Sequence, residues 1–98
     1  MAEVQRFDIA IIGAGIAGSA LAAALGGKGL SIALVEAQSL AKPELPAGSE
    51  LTDFDSRVSA LTPRSRQLLQ DVGAWEAIAG YRQCAYRHMT VWDADGTG

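Results

Sequence analysis

The chain has one cysteine and one histidine, and its 8 lysines and arginines are outnumbered by 11 acidic residues. A lone Cys84 closes no internal disulfide, which fits a reducing compartment. With no base near it in sequence, it reads as a buried thiol. His88 has no partner motif and reads as structural or exposed; together the two residues make no metal site. A net charge of −3 supplies no basic field for nucleic acid or anionic lipid. No internal repeat or low-complexity segment is present.

An apolar run of membrane-spanning quality is missing as well. Asp8 and Lys28 bracket 19 residues, near the lower bound for a span, and five of these are glycines. A secretion signal needs a positively charged start, whereas Met1 to Asp8 carries Glu3, Arg6 and Asp8. The stretch IAIIGAGIAGSALAAALGGKG, residues 9–29, therefore reads as a strand, a loop and a helix of a soluble protein.

What the sequence does have is 49% apolar residues in 98, enough to build a core for one small domain or part of a larger one. Phe7 to Ile12 is a short β-branched run, readable as a strand buried on both faces. Ile16 to Leu25 is rich in alanine and leucine, the best helix formers, and Gly26, Gly27 and Gly29 end it. Leu30 to Val35 is a second apolar run. Strand, helix and strand in about 30 residues is the size of one βαβ unit.

Gly13, Gly15 and Gly18 form G-x-G-x-x-G at the junction of the first strand and the helix. In such a motif the first glycine permits the tight turn and the second lets a pyrophosphate approach the backbone. The third lets the helix pack close on the strand. The free N–H groups at the helix start, through Gly13, Ala14, Gly15, Ile16, Ala17 and Gly18, then face the phosphates. Glu36 ends the second strand, where a carboxylate can accept from ribose hydroxyls. Ala22, four residues after Gly18, eases helix–sheet contact. An acidic residue at position 36 disfavours a 2′-phosphate, so the nucleotide is FAD or NAD rather than NADP.

Beyond Glu36 the period dissolves. Pro43, Pro46 and Gly48 punctuate a long excursion from Ala37 to Ser56. Order returns at LTPRSRQLLQDVG: Thr62 caps a helix, Pro63 suits its first turn, and Gly73 lies just past its end. Leu68, Leu69 and Val72 form its apolar stripe. A second short helix, Ala74 to Ala79, presents Trp75 and Ile78 to the same core. MTVW then reads as a strand and DADG as a turn. Trp75 and Trp92 read as core or interface anchors. Arg64 and Arg66 lie near a helix start, where cations oppose the dipole, and read as surface residues. A strand with no partner leaves an unpaired edge, so the sequence reads as part of a longer protein.

The segment FDSRVSALTPRSRQLLQDVGAW resembles the FAD-dependent aromatic hydroxylases, and most closely the ubiquinone-biosynthesis hydroxylase family. The residues that carry the resemblance are Asp55, Arg57, Ala60, Leu61, Ser65, Leu68, Leu69, Gly73 and Trp75, with M-T-V-W-D following. Together with the glycine motif they cover nearly the whole chain. The glycine motif is common to many flavoproteins; the arginine segment is far more specific.

The resemblance implies an α/β fold: the N-terminal part of a Rossmann-like FAD-binding domain, incomplete at its C-terminus. Residues 1–98 would be that part, made of a βαβ unit, a long loop, two short helices and a strand, with the substrate domain absent. It implies that Gly13, Gly15 and Gly18 hold the FAD diphosphate, Glu36 the adenosine ribose, and that Arg57 lies beside the cofactor. It also implies NAD(P)H as reductant and a polyprenylated phenol or quinol as the substrate hydroxylated. The setting implied is cytoplasmic, at the inner-membrane face, with peripheral membrane contact and a multi-enzyme assembly. The fragment alone should be inactive. The residues themselves leave open another FAD- or NAD-binding oxidoreductase, or a non-catalytic truncated nucleotide-binding module.

Overall fold

The computed structural model describes residues 2–40 and 48–96. Pro43 and Pro46, on which the expected excursion partly rested, lie outside them. In chain order the elements are β1 (Ile9–Ile12), α1 (Ile16–Leu25), β2 (Ile32–Val35), a 3-10 turn (Leu51–Asp53), α2 (Pro63–Asp71) and α3 (Trp75–Tyr81). This is a small α/β unit. β1 and β2 pair in parallel, with Ile9 opposite Ile32 and Ile12 opposite Val35. Parallel neighbours need a crossover, and α1 provides it, packing on both strands and on α2. α2 in turn packs on α3.

Local chemistry sets most of these boundaries. α1 begins at Gly15 and ends at Gly26, after which Gly27 and Gly29 take positive φ values of 74° and 77°. Such backbone is cheap only for glycine. α2 begins where the Thr62 hydroxyl accepts from the Ser65 N–H at 3.2 Å, with Pro63 in its first turn. It stops before Gly73, whose φ of 80° turns the chain into α3. Both helices match their expected limits; α3 runs two residues further than Ala79, to Tyr81. The DADG turn is present, with the Gly96 N–H donating to the Asp93 carbonyl at 3.0 Å.

Four expectations need correction. β1 is not buried on both faces: Ile11 is 8% exposed, but Ile12 is 78% exposed. Among the described residues α1 covers one side of the two-stranded sheet, so alternate side chains face out. Residues 89–92, MTVW, form no strand, because neither edge of the β1–β2 sheet pairs with them. Trp92, expected as a core or interface anchor, is accordingly 66% exposed, which leaves it only the interface role. Cys84 is exposed, not buried, because it follows the end of α3 in a segment that belongs to no packed element. On α2 the stripe narrows: Leu69 is buried at 7% exposure, Val72 is half-buried, and Leu68 is exposed.

The core of the described unit is thus small, with Ile11 and Leu69 its buried hydrophobic residues. The radius of gyration is 18.2 Å, against about 13 Å for a compact domain of this length. Much apolar surface is exposed on the described unit.

A polar staple sets the register of the two strands. The Asp8 carboxylate Oδ2 accepts from the Ser31 N–H at 2.8 Å and from the Ser31 hydroxyl at 3.0 Å. The Asp8 N–H donates to the Ser31 carbonyl at 3.0 Å. These hydrogen bonds favour the charged form and hold the Asp8 carboxyl below the usual aspartate range. A folded-state value below the unfolded one means the staple stabilises above the unfolded aspartate value. That contribution fades as pH falls through the folded value. The expected result is that Asp8→Asn lowers stability at neutral pH and that this difference shrinks in acid. Thermal unfolding of both proteins from neutral pH down to pH ~3 measures it.

Candidate functional site

The glycine loop lies between the carboxyl end of β1 and the start of α1, and each of its glycines has a different reason to be there. Gly13 has a φ of 100°, a turn conformation that side chains resist. Its N–H donates to the Val35 carbonyl at 2.7 Å, which ties the loop to the end of β2. At Gly18 a Cβ would run into the Gly13 carbonyl, whose carbon lies 3.0 Å away, and would touch Ile11 Cγ2 at 3.4 Å. Here the helix meets the strand backbone to backbone.

Gly15 differs from both. Its φ of −72° and ψ of −168° suit any residue. A Cβ there would meet no atom within 4 Å. Neither backbone nor packing within the described unit calls for glycine at 15. Beside it starts α1, with no acidic residue in its first turn and no side-chain cap. The N–H groups of Ile16, Ala17 and Gly18 therefore lack intrahelical partners, and the helix offers its positive dipole end to an anion.

Glu36 reaches back to this loop. One carboxylate oxygen accepts from the Ala37 N–H at 3.0 Å, and the other lies 3.4 Å from the Ala14 N–H, a long contact. The carboxylate thus stands at the edge of the loop, with lone pairs to spare for hydroxyl donors. An open groove of about 450 Å³ continues from the loop along α1, lined by Ala14, Gly15, Ile16 and Ser19 on one side and by Leu69 and Val72 on the other. The Ser19 hydroxyl donates to the Ala14 carbonyl at 3.0 Å and fixes the loop's exit.

These features suit a dinucleotide diphosphate: a helix start free of competing acid, backbone left clear at Gly15, and a carboxylate one loop away. Gly13, Ala14, Gly15, Ile16, Ala17, Gly18 and Glu36 come together as the motif requires. Arg57 does not line this groove. It is exposed, and its backbone N–H donates to Asp55 Oδ1 at 3.0 Å in a local turn. The expected surface positions of Arg64, Arg66 and His88 hold, although Arg66 also covers the half-buried Trp75 ring at 4.9 Å. No group of histidine, cysteine and carboxylate side chains capable of holding a metal ion occurs among the described residues. None of the described helices is long and apolar enough to cross a membrane.

One residue with many contacts escaped the sequence reading. Arg82 stacks on Phe54 at 4.0 Å and donates to two backbone carbonyls of the segment before Arg57. Its partners are 29 and 34 residues away and are main-chain atoms, so no side-chain pattern announces them.

The chain is similar to known proteins over most of its length. The chain is 39% identical over 94 residues to the mitochondrial ubiquinone biosynthesis monooxygenase of Xenopus tropicalis, covering 90% of this chain and 19% of the relative. The human counterpart is 39% identical over 92 residues, with 90% and 19% covered. The 3-demethoxyubiquinol 3-hydroxylase of Escherichia coli strain K12 is 34% identical over 89 residues, with 91% and 22% covered. The chain therefore spans about one-fifth of the length of the relatives it matches. No family model matches, and no solved structure matches. Homology to ubiquinone-biosynthesis hydroxylases, over a fragment of their length, is thus established.

Proposed function

We propose that this homologue of a fragment of the ubiquinone-biosynthesis hydroxylases is the N-terminal part of an FAD-binding domain, within a longer monooxygenase that hydroxylates a polyprenylated phenol or quinol. The observation that carries the reading is Gly15. It is a glycine that the described unit's own geometry does not need, set at an uncapped helix start with the Glu36 carboxylate beside it. The names of the relatives supply the reaction class and pathway. The open sheet face and small core support a larger domain around this unit.

In this reading the helix N–H groups of Ile16, Ala17 and Gly18 bind the FAD diphosphate, and Gly15 gives it room. Glu36 accepts from the adenosine ribose hydroxyls. Gly13 and Gly18 keep strand and helix close enough for those groups to converge. Arg57 contacts the cofactor once the domain is complete. FAD, reduced by NAD(P)H, supplies the activation of dioxygen; this segment's residues bind and orient it. A quinol with an isoprenoid tail partitions into a bilayer. The full enzyme accordingly works at a membrane face on the cytoplasmic side, within an assembly of the pathway's enzymes.

A dehydrogenase built on the same motif would continue with alternating strand and helix. The described residues after β2 instead run through a 3-10 turn and two consecutive helices.

Two experiments test this reading. The first is Glu36→Ala in the full-length polypeptide, expected to weaken FAD roughly tenfold to a hundredfold, matching the loss of charged hydrogen bonds worth roughly 1.5–3 kcal/mol. Equilibrium flavin titration reads it, and an unchanged constant removes Glu36 from the site. The second is oxygen uptake by the holoenzyme with NAD(P)H. Uptake that depends on a prenylated phenol and places one oxygen atom in the product supports the hydroxylase. Nicotinamide turnover with no oxygen consumed would favour a dehydrogenase instead.

A further inference from the structure

The segment ahead of Arg57 is folded on itself. The Asp53 N–H donates to the Glu50 carbonyl at 2.9 Å, and the Phe54 N–H to the Leu51 carbonyl at 3.2 Å. The Glu50 N–H donates to the Asp53 carboxylate at 3.0 Å. A Cβ on Gly48 would run into that same carboxylate, so the two ends of the turn lie against each other. Two carbonyls, those of Gly48 and Asp53, are left pointing to one donor.

That donor is Arg82, the residue just after α3. Nη1 donates to the Asp53 carbonyl at 2.8 Å and Nη2 to the Gly48 carbonyl at 2.7 Å. The guanidinium carbon sits 4.0 Å from the Phe54 ring centroid and 5.0 Å from that of Tyr81. Arg82 thus ties residues 48–54 to the end of α3 by two hydrogen bonds and a cation–ring contact. The planar guanidinium presents two separate nitrogens to the two carbonyls while its face stacks on a ring; an ammonium has three donors on a single nitrogen and no flat face to stack.

We propose that Arg82 is a positioning residue, which clips the 48–54 turn to the end of α3 and thereby fixes Arg57 for its contact with the cofactor. Asp55 follows the clipped turn directly, and its carboxylate holds the Arg57 backbone N–H at 3.0 Å. Position therefore passes from Arg82 to the turn and on to Arg57. The functional half rests on the reading of Arg57 as a cofactor contact; the clip itself does not.

The test uses the full-length holoenzyme with Arg82→Met, Arg82→Lys, Arg57→Ala and the Arg57→Ala/Arg82→Met double variant. Amide hydrogen exchange across residues 48–57 reads the clip, and FAD affinity reads its consequence. Arg82→Met should speed exchange in 48–57 by about tenfold or more, as expected for loss of two charge-assisted hydrogen bonds, with α1 and β1 unchanged. Arg82→Lys should recover only part of the protection. FAD affinity should fall about tenfold in Arg82→Met, and this loss should vanish when Arg57 is already alanine.

Unchanged exchange in Arg82→Met overturns the clip. Additive losses of affinity overturn the link from Arg82 to Arg57. If Arg57→Ala binds FAD normally while exchange still rises in Arg82→Met, the cofactor reading of Arg57 fails and the clip stands. Should Arg82→Met not fold, Phe54→Leu removes only the stacked ring and should loosen the same segment to a smaller degree.

Discussion

Gly15→Val leaves the fold in place and abolishes FAD retention. The backbone at 15 already has values that valine tolerates, and the first atom of the new side chain meets nothing within 4 Å. The cost to folding is confined to replacing glycine by a poorer residue at the helix start, about 1 kcal/mol or less. The cost to binding is steric and far larger. A branched side chain would project beside the N–H groups proposed to hold the diphosphate and crowd its approach. The expected outcome is a protein with a melting temperature within a few degrees of the parent, without the flavin absorption spectrum. Retention of FAD at parental affinity would refute the loop as the diphosphate site.

Gly18→Ala has the opposite signature: the protein itself is destabilised, with or without cofactor. Two effects compete there. Alanine is the better helix former by about 1 kcal/mol. Its methyl group, however, would overlap the Gly13 carbonyl, a backbone group that is anchored in turn by the Gly13–Val35 hydrogen bond at 2.7 Å. Relief requires α1 to lift from β1, and overpacking of this kind costs about 1–3 kcal/mol or more. The clash wins because its partner is main chain and cannot rotate away. Thermal unfolding of the cofactor-free protein should show a lower midpoint for Gly18→Ala than for Gly15→Val. Equal midpoints would mean that the helix and strand are not in the close contact described.

The two substitutions separate roles that the sequence motif lists together. Three glycines at fixed spacing announce a tight turn, a clear approach and a close packing. Only the structure shows which of these glycines the fold depends on and which it does not. α1 and α2 were legible because glycine, proline and a threonine cap mark their ends chemically, within a few residues. The pairing of β1 with β2 was legible because an alanine-rich helix of ten residues joins two short apolar runs.

What was not legible depended on distant partners. The burial of a strand's second face is decided by whatever packs there, and the residues described place nothing against Ile12. MTVW has strand-like composition, but a strand also needs an edge to pair with. Cys84 was assigned to a core by residue type, and Trp92 to a core or an interface; the described chain after α3 brings no core to either. Arg82 belongs to the same class: its binding partners are carbonyl groups, identical in every residue, and only the folded path of the chain brings them to it.

The proposed function requires that the glycine loop grip FAD within a chain of hydroxylase length. The most direct test is a native mass spectrum of the polypeptide purified from its source, which reports chain length and bound nucleotide together. The expected result is a chain near the length of its hydroxylase relatives carrying one FAD. A chain carrying NAD, or one of hydroxylase length that binds no nucleotide even when FAD is supplied, would contradict it.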